Sequence, residues 1–349
     1  MRVLVIGGSG FIGRQLVKRL VERGHDVAMV HRGRTSPPRD QRVTEFIGDR
    51  ASLLEMRNRF REWAPDVAID CILSSAAQAR VTLDSVRGIA RRVVAVSSGD
   101  VYRAMAVVHR LEAEPLEPTP LTEDSALRTQ SQTYSDAALE VARAAFPWLD
   151  HEYDKVKVEQ TITSDPDFTA TVLRLPMVYG PGDPLHRLFP VLKRIDDERP
   201  FILLEESFAQ FVACRGYVEN VADAIALAAT SEAAEGRTYN VAEPEAFTET
   251  EWSEKIGAVA AWSGKVLQIP RALAPEHLVQ PYNTQQHLFM DTTRIRKELD
   301  YVEPISIDEA LRRTIDWERQ NPPAQVDPKQ FNYAAEDDAL KALSQRARV

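Results

Sequence analysis

Val3-Leu4-Val5-Ile6-Gly7-Gly8-Ser9-Gly10-Phe11-Ile12-Gly13 decides the fold. Val3 to Ile6 is apolar without alternation, the pattern of a strand buried on both faces. Three glycines spaced by three, Gly7, Gly10 and Gly13, then lead into a segment from Phe11 to Arg23 with Leu16, Leu20 and Val21 at helical spacing. A buried strand, a glycine turn and a helix together form an anion site: Gly7 permits the tight turn, Gly10 lets backbone approach a phosphate, and Gly13 lets helix and strand pack closely. Free N–H groups at the helix start carry partial positive charge. The stretch therefore predicts dinucleotide binding, with Gly7, Ser9, Gly10, Phe11, Ile12 and Gly13 as the phosphate-facing turn.

The same rhythm continues outward. Val27–Val30, Val67–Ile72, Val93–Val96 and Ala170–Leu175 read as buried strands, Val43–Ile47 as strand-like, and Leu53–Trp63, Ala76–Ile89 and Tyr153–Thr163 as helices between them. Alternation of this kind implies right-handed crossovers, a parallel sheet and helices on both faces, an α/β doubly wound architecture. Prolines 115, 118 and 120 mark an irregular stretch from Arg103 to Pro147, helical only over Tyr134–Ala145. Beyond Pro176 the chain changes character, with Gly180, Pro181, Gly182 and Pro184 close together. We expect a dinucleotide domain over 1–178 with a return segment near 217–243, a discontinuous substrate-binding region over 179–320, and a polar C-terminal arm over 321–349. Val221–Thr230 reads as a helix, Thr238–Val241 as a strand, and Thr248 with Glu251 as a capping box for a helix ending near Ala261.

After the second strand the chain reads Val30-His31-Arg32-Gly33-Arg34, with no acid to bind ribose hydroxyls. Arg32 and Arg34 favour a 2′-phosphate, hence NADP over NAD. Asp49 is placed to accept from the adenine amino group.

Composition narrows the function. With 349 residues, 44% hydrophobic and 27% charged, the chain is ordinary for a globular protein of about two domains. The net charge of −9 argues against a nucleic-acid coat. Residues 1–60 carry 12 basic and 6 acidic side chains, so this stretch is +6 and the remainder −15, a balance suited to a small anionic ligand. Cys71 and Cys214 offer neither a disulfide framework nor zinc spacing, and no metal is expected. No apolar run reaches the length of about 18 residues needed to span a bilayer, and none resembles a secretory leader, so the cytoplasm is the expected address.

Two further segments bear on chemistry. Ser97-Ser98 follows the fifth strand, at the edge where open α/β sheets place ligands. Tyr153-Asp154-Lys155-Val156-Lys157 would set Tyr153 and Lys157 one turn apart on a shared helix face. With the glycine turn, Gly48-Asp49, Ser97 to Tyr102, Leu173 to Pro181 and Asp291 to Leu299, the chain resembles the extended or atypical short-chain dehydrogenase/reductases of the NAD-dependent epimerase/dehydratase family. That resemblance runs from Met1 to about Trp317. It implies that Ser98 orients a substrate oxygen, that Tyr153 exchanges its proton, and that Lys157 holds the nicotinamide ribose and favours tyrosinate. It implies hydride transfer on the carbon of a secondary alcohol or ketone, by net redox or by epimerisation, with a nucleotide sugar as the leading small-molecule substrate and a homodimer as the expected assembly.

The sequence departs from that pattern in three places. Gly99-Asp100 supplies one carboxylate where the family's dehydratases use an Asp-Glu pair. Arg215 falls two positions late for a diphosphate clamp, and no arginine lies between Gln280 and Asp291. Two readings of another class remain: a non-catalytic cofactor sensor, and an RNA-associated protein of the atypical branch. The acidity and the Tyr153–Lys157 pair weigh against both.

Overall fold

The structure is a computed structural model that describes residues 1–33, 40–131 and 134–346. Six strands fall where the apolar runs predict them: β1 (Arg2–Ile6), β2 (Asp26–His31), β3 (Val43–Ile47), β4 (Val67–Asp70), β5 (Arg92–Ser98) and β6 (Thr169–Leu175). Helices α1 (Phe11–Glu22), α2 (Arg57–Trp63), α3 (Ala76–Val86), α4 (Arg103–Val108), α5 (Asp136–Ala145) and α6 (Lys155–Thr163) lie between them.

The remaining strands are short: β7 (Met177–Tyr179), β8 (Phe201–Glu205), β9 (Val212–Ala213), β10 (Arg215–Tyr217), β11 (Thr238–Asn240), β12 (Phe247–Thr248) and β13 (Lys265–Ile269). With them come α7 (Phe189–Asp196), α8 (Glu206–Ala209), α9 (Val218–Thr230), α10 (Glu249–Val259), α11 (Thr293–Leu299), α12 (Ile307–Gln320) and α13 (Tyr333–Arg346).

The main sheet has seven strands in the order β11-β6-β5-β4-β1-β2-β3. Every neighbouring pair is parallel. Chain direction across the sheet reverses between β1 and β4, which opens a crevice at their carboxyl ends. Apolar side chains leave both faces: Val3 and Val5 join a core with Leu16, Leu20 and Ile225, while Leu4 and Ile6 join another with Phe60, Leu83 and Ile162. That two-sided burial is why β1 reads as an unbroken apolar run.

The late elements complete this frame. Strand β11 pairs with β6, Tyr239 opposite Leu173, and α9 packs beside α1 through Arg19–Glu219 at 3.1 Å and Arg23–Asp223 at 2.9 Å. Small two-stranded sheets, β7 with β10, β8 with β13 and β9 with β12, build the region beyond. Thr248 and Glu251 form the predicted capping box at the start of α10.

Tyr153 is a correction. The helix after it begins at Lys155, because the Asp154 carboxylate accepts from Val156 N and Lys157 N and caps it there. Tyr153 thus precedes the helix and shares no helical face with Lys157.

Candidate active site

The glycine turn has the form its spacing implies. Gly7 holds φ at +84°, in the left-handed region, and a side chain there would meet Ile72. A Cβ on Gly13 would lie 2.1 Å from the Gly7 carbonyl oxygen, so only glycine lets α1 start this close to β1. Gly10 caps α1 without a side-chain hydrogen bond, and the first turn carries no acid. The helix therefore presents free N–H groups to a crevice of 450 Å³, lined by Gly7, Ser9, Gly10, Arg32 and Asp49 among others. These features fit the pyrophosphate of a dinucleotide.

Of the other predicted cofactor residues, Phe11, Ile12 and Gly13 form the first turn of α1 rather than the crevice wall. Arg32 is exposed at the crevice edge. Asp49 lines it too, while its carboxylate accepts from Ala51 N at 3.0 Å. Arg34 lies outside the described residues.

Residues 147–150 form the opposite wall, which nothing in the composition of that irregular stretch announces. Three bonds pin it. Gln78 donates to the Trp148 carbonyl at 2.9 Å, Ser75 to Asp150 at 2.6 Å, and Asp150 N to the Ser74 hydroxyl at 2.8 Å.

Ser98 and Tyr153 meet through Asp100. The Ser98 hydroxyl accepts from Asp100 N at 3.3 Å, and the Tyr153 hydroxyl donates to Asp100 Oδ2. Asp100 is buried and its other oxygen has no partner among the described residues. Burial pushes its pKa up, against the field of Arg128. Arg128 comes from the irregular stretch, donating to the Asp100 carbonyl at 3.0 Å and to Asp154 at 3.1 Å. Tyr134 meets Tyr153 edge-on, with ring centroids 5.7 Å apart. The Tyr153 phenol, 8% exposed, is pushed well above its ordinary pKa by burial and then by the Asp100 charge. The sequence argument expects the opposite shift, from a neighbouring ammonium.

Lys157 does not supply that ammonium. Its side chain is 59% exposed and its amine lies 3.6 Å from Asp154. Lys155 is the lysine turned inward. Its Nζ donates to the carbonyls of Leu73, at 2.5 Å, and Val96, at 3.0 Å, at the carboxyl edge beside Ser98. Burial lowers its pKa to about 8. Beneath this cluster, Ser97 donates to Glu159 at 2.5 Å, Arg174 pairs with Glu159 at 2.8 Å, and Tyr102 donates to Asn240 at 2.5 Å. This buried network ties β5, β6, β11 and α6 into one rigid support.

The profile of the NAD dependent epimerase/dehydratase family matches residues 3–242, and the chain belongs to that family. It is an NAD(P)-dependent enzyme. Among its relatives is a dTDP-6-deoxy-L-talose 4-dehydrogenase (NAD(P)(+)) of Kitasatospora kifunensis, 26% identical over 92% of this chain and 96% of the relative. A 2′-dehydrokanamycin reductase of Streptomyces kanamyceticus is 30% identical over 52% of this chain and 44% of its own length. The fold is shared with an epimerase of Methanothermobacter thermautotrophicus at a TM-score of 0.66, with 17% identity and 92% of each chain covered. It is shared also with a UDP-glucose 4-epimerase of Thermotoga maritima at 0.63, with 16% identity and coverage of 93% of this chain and 100% of that one. No helix among the described residues is long and apolar enough to cross a membrane.

Proposed function

We propose that the protein is an NADP-preferring reductase of a ketone, or in reverse a dehydrogenase of a secondary alcohol, with Tyr153 and Ser98 at the reacting oxygen. Bound NADP supplies or accepts the hydride. The observation that supports this reading is the chain Ser98–Asp100–Tyr153, which gathers a hydroxyl, a buried carboxylate and a phenol at the end of β5. Ser98 donates a hydrogen bond to the substrate oxygen and orients it. Tyr153 is protonated at neutral pH, because burial and the Asp100 charge both disfavour the phenolate, so it is suited to give a proton to an oxygen that becomes an alkoxide. On substrate entry the hydroxyl exchanges Asp100 for that oxygen. Lys155 rather than Lys157 is the cation of this cluster, since its amine is held at the Val96 carbonyl of β5 whereas Lys157 is turned to solvent. Arg32 at the crevice edge supports the 2′-phosphate preference.

A panel of ketones followed by cofactor absorbance tests this. Tyr153→Phe lowers kcat by about 10²–10⁴-fold, the usual worth of a positioned acid, with the Kd for NADPH unchanged. Lys157→Met leaves both near wild type. Full turnover by Tyr153→Phe refutes the assignment of Tyr153, and cofactor binding with no turnover of any ketone by the wild-type protein would favour a sensor.

A further inference from the structure

A cavity beyond β7 encloses 1090 Å³, slightly above the usual range of about 300–1,000 Å³ for ligand sites. Two of its lining residues, Met177 and Tyr179, belong to β7, which follows directly on β6, where Leu175 is paired with Ser98 of β5. Its far wall is the C-terminal arm, which contributes Phe331 and Asn332 and lies outside the matched family region.

The three arginines of this chamber are already neutralised by the protein. Arg187 donates to Asp183 at 2.6 Å, Arg194 to Glu336 at 2.6 Å, and Arg215 to Glu249. Arg215 also lies over the Trp252 ring, 4.5 Å from its centroid, and donates to the Ala213 carbonyl. The remaining lining charges, Lys329, Glu276 and Asp327, sit exposed at the rim. Counting the lining side chains and the two carboxylates paired to them gives four cations (Arg187, Arg194, Arg215, Lys329) against five anions (Glu249, Glu276, Asp327, Asp183, Glu336). A diphosphate that recruited Arg194 or Arg215 would strand a largely buried carboxylate, which opposes binding. The walls otherwise combine aliphatic side chains such as Leu188, Val191 and Leu278 with aromatic ones, Phe208 and Phe211 stacked at 6.3 Å and Tyr282 edge-on to Phe208.

We propose that this chamber receives an uncharged, ring-bearing alcohol or ketone rather than a nucleoside diphosphate derivative. The proposal rests on the reductase reading above for its alcohol or ketone, but the charge selection is a property of the chamber alone. Aromatic faces supply contact area to rings, and the internal ion pairs supply the rejection of added charge.

The test is calorimetric titration of the full-length protein, saturated with NADP so that the glycine crevice is filled, using 4-nitrophenyl β-D-glucopyranoside as the uncharged probe and UDP as the anionic one. The expected result is a Kd for the glucoside at least tenfold below that for UDP. Glu249→Gln, which releases Arg215 from its counter-charge, strengthens UDP binding at least tenfold. Phe208→Ala, which leaves every ion pair in place, weakens the glucoside at least fivefold and leaves UDP unchanged. UDP binding as tight as the glucoside in the wild-type protein, or indifference of UDP to Glu249→Gln, overturns the proposal. Turnover of the ketone panel reads the reductase assignment and the ratio of UDP to glucoside affinity reads the charge selection, so the two failures are seen in different measurements.

Discussion

Removing one carboxylate should free the C-terminal arm. Glu336, at the start of α13, is fully buried. Its Oε1 accepts from Arg194 at 2.6 Å and lies 3.0 Å from His277 Nε2. In Glu336→Ala, Arg194 keeps only the carbonyls of Pro190 and Gln330 and the face of Phe331, 5.0 Å away. Breaking a buried pair from one side costs about 3–5 kcal/mol, because the other charge stays buried without compensation. The second Glu336 oxygen has no partner among the described residues, a burial penalty that the substitution relieves, so the lower end applies. About 3 kcal/mol is slightly over a hundredfold in an equilibrium constant. The loss should appear locally. What else holds α13 is modest: Tyr333 to Asp197, Asp337 to Arg199, and Ala339 against Leu203 and Ile269. Amide hydrogen exchange checks this. Residues 328–346 should open roughly a hundred times more readily in the variant, while β1 exchanges at the wild-type rate. Arg194→Met added to Glu336→Leu should recover much of the protection, since no charge is then left behind. Exchange over 328–346 within threefold of wild type would refute the buried-pair argument.

Lys155 predicts a pH dependence. Its pKa falls from 10.5 to about 8 on folding, so below pH 8 both states carry the proton and the folded state bears the full cost of a buried ammonium. Between pH 8 and 10.5 the unfolded chain holds a proton that the folded chain does not, and stability therefore rises with pH. The difference of 2.5 is worth roughly 3 kcal/mol, so urea denaturation should show wild type gaining about that much on Lys155→Met across this window. A parallel pH response of the two proteins would refute it. For the cofactor, Arg32→Ala should reduce the preference for NADPH over NADH about tenfold in Kd, read by cofactor fluorescence, with the NADH value little changed. An unchanged ratio would remove Arg32 from 2′-phosphate recognition.

The fold was legible because its strands are buried on both faces: nothing but a parallel sheet between helix layers explains a run such as Val3 to Ile6 beside a helix with Leu16 and Leu20 inward. The glycine turn was legible for a comparable reason, since close approach leaves no room for a Cβ at Gly13. The proposed reactive cluster was only half legible. Ser98 and Tyr153 were named and both bond to Asp100, but the inward lysine depended on where α6 starts, and the Asp154 cap sets that start two residues later than periodicity alone suggests. Arg128 arrives from an irregular stretch with no period to read, and Tyr134 lies just before α5, which starts at Asp136. The arm was illegible for a different reason. It docks through carboxylate–arginine pairs, and single charges in a polar segment look alike whether solvated or buried.

The placement of charge around Tyr153 bears on the direction of the reaction. An ammonium beside the phenol would lower its pKa and leave the resting site with a base. Instead Asp100 takes the phenolic proton's hydrogen bond, while Lys155 lies behind the strand edge, held by the Leu73 and Val96 carbonyls. Burial and Asp100 act on the phenol in the same sense, against dissociation. Under the reading proposed here, the protein therefore holds its proton donor charged with its proton before substrate arrives, and an oxygen gaining negative charge is the group able to draw it away from Asp100. A buried phenol that keeps its proton suits the acid role under that reading, and its hydrogen-bond partner is Asp100 rather than the neighbouring lysine.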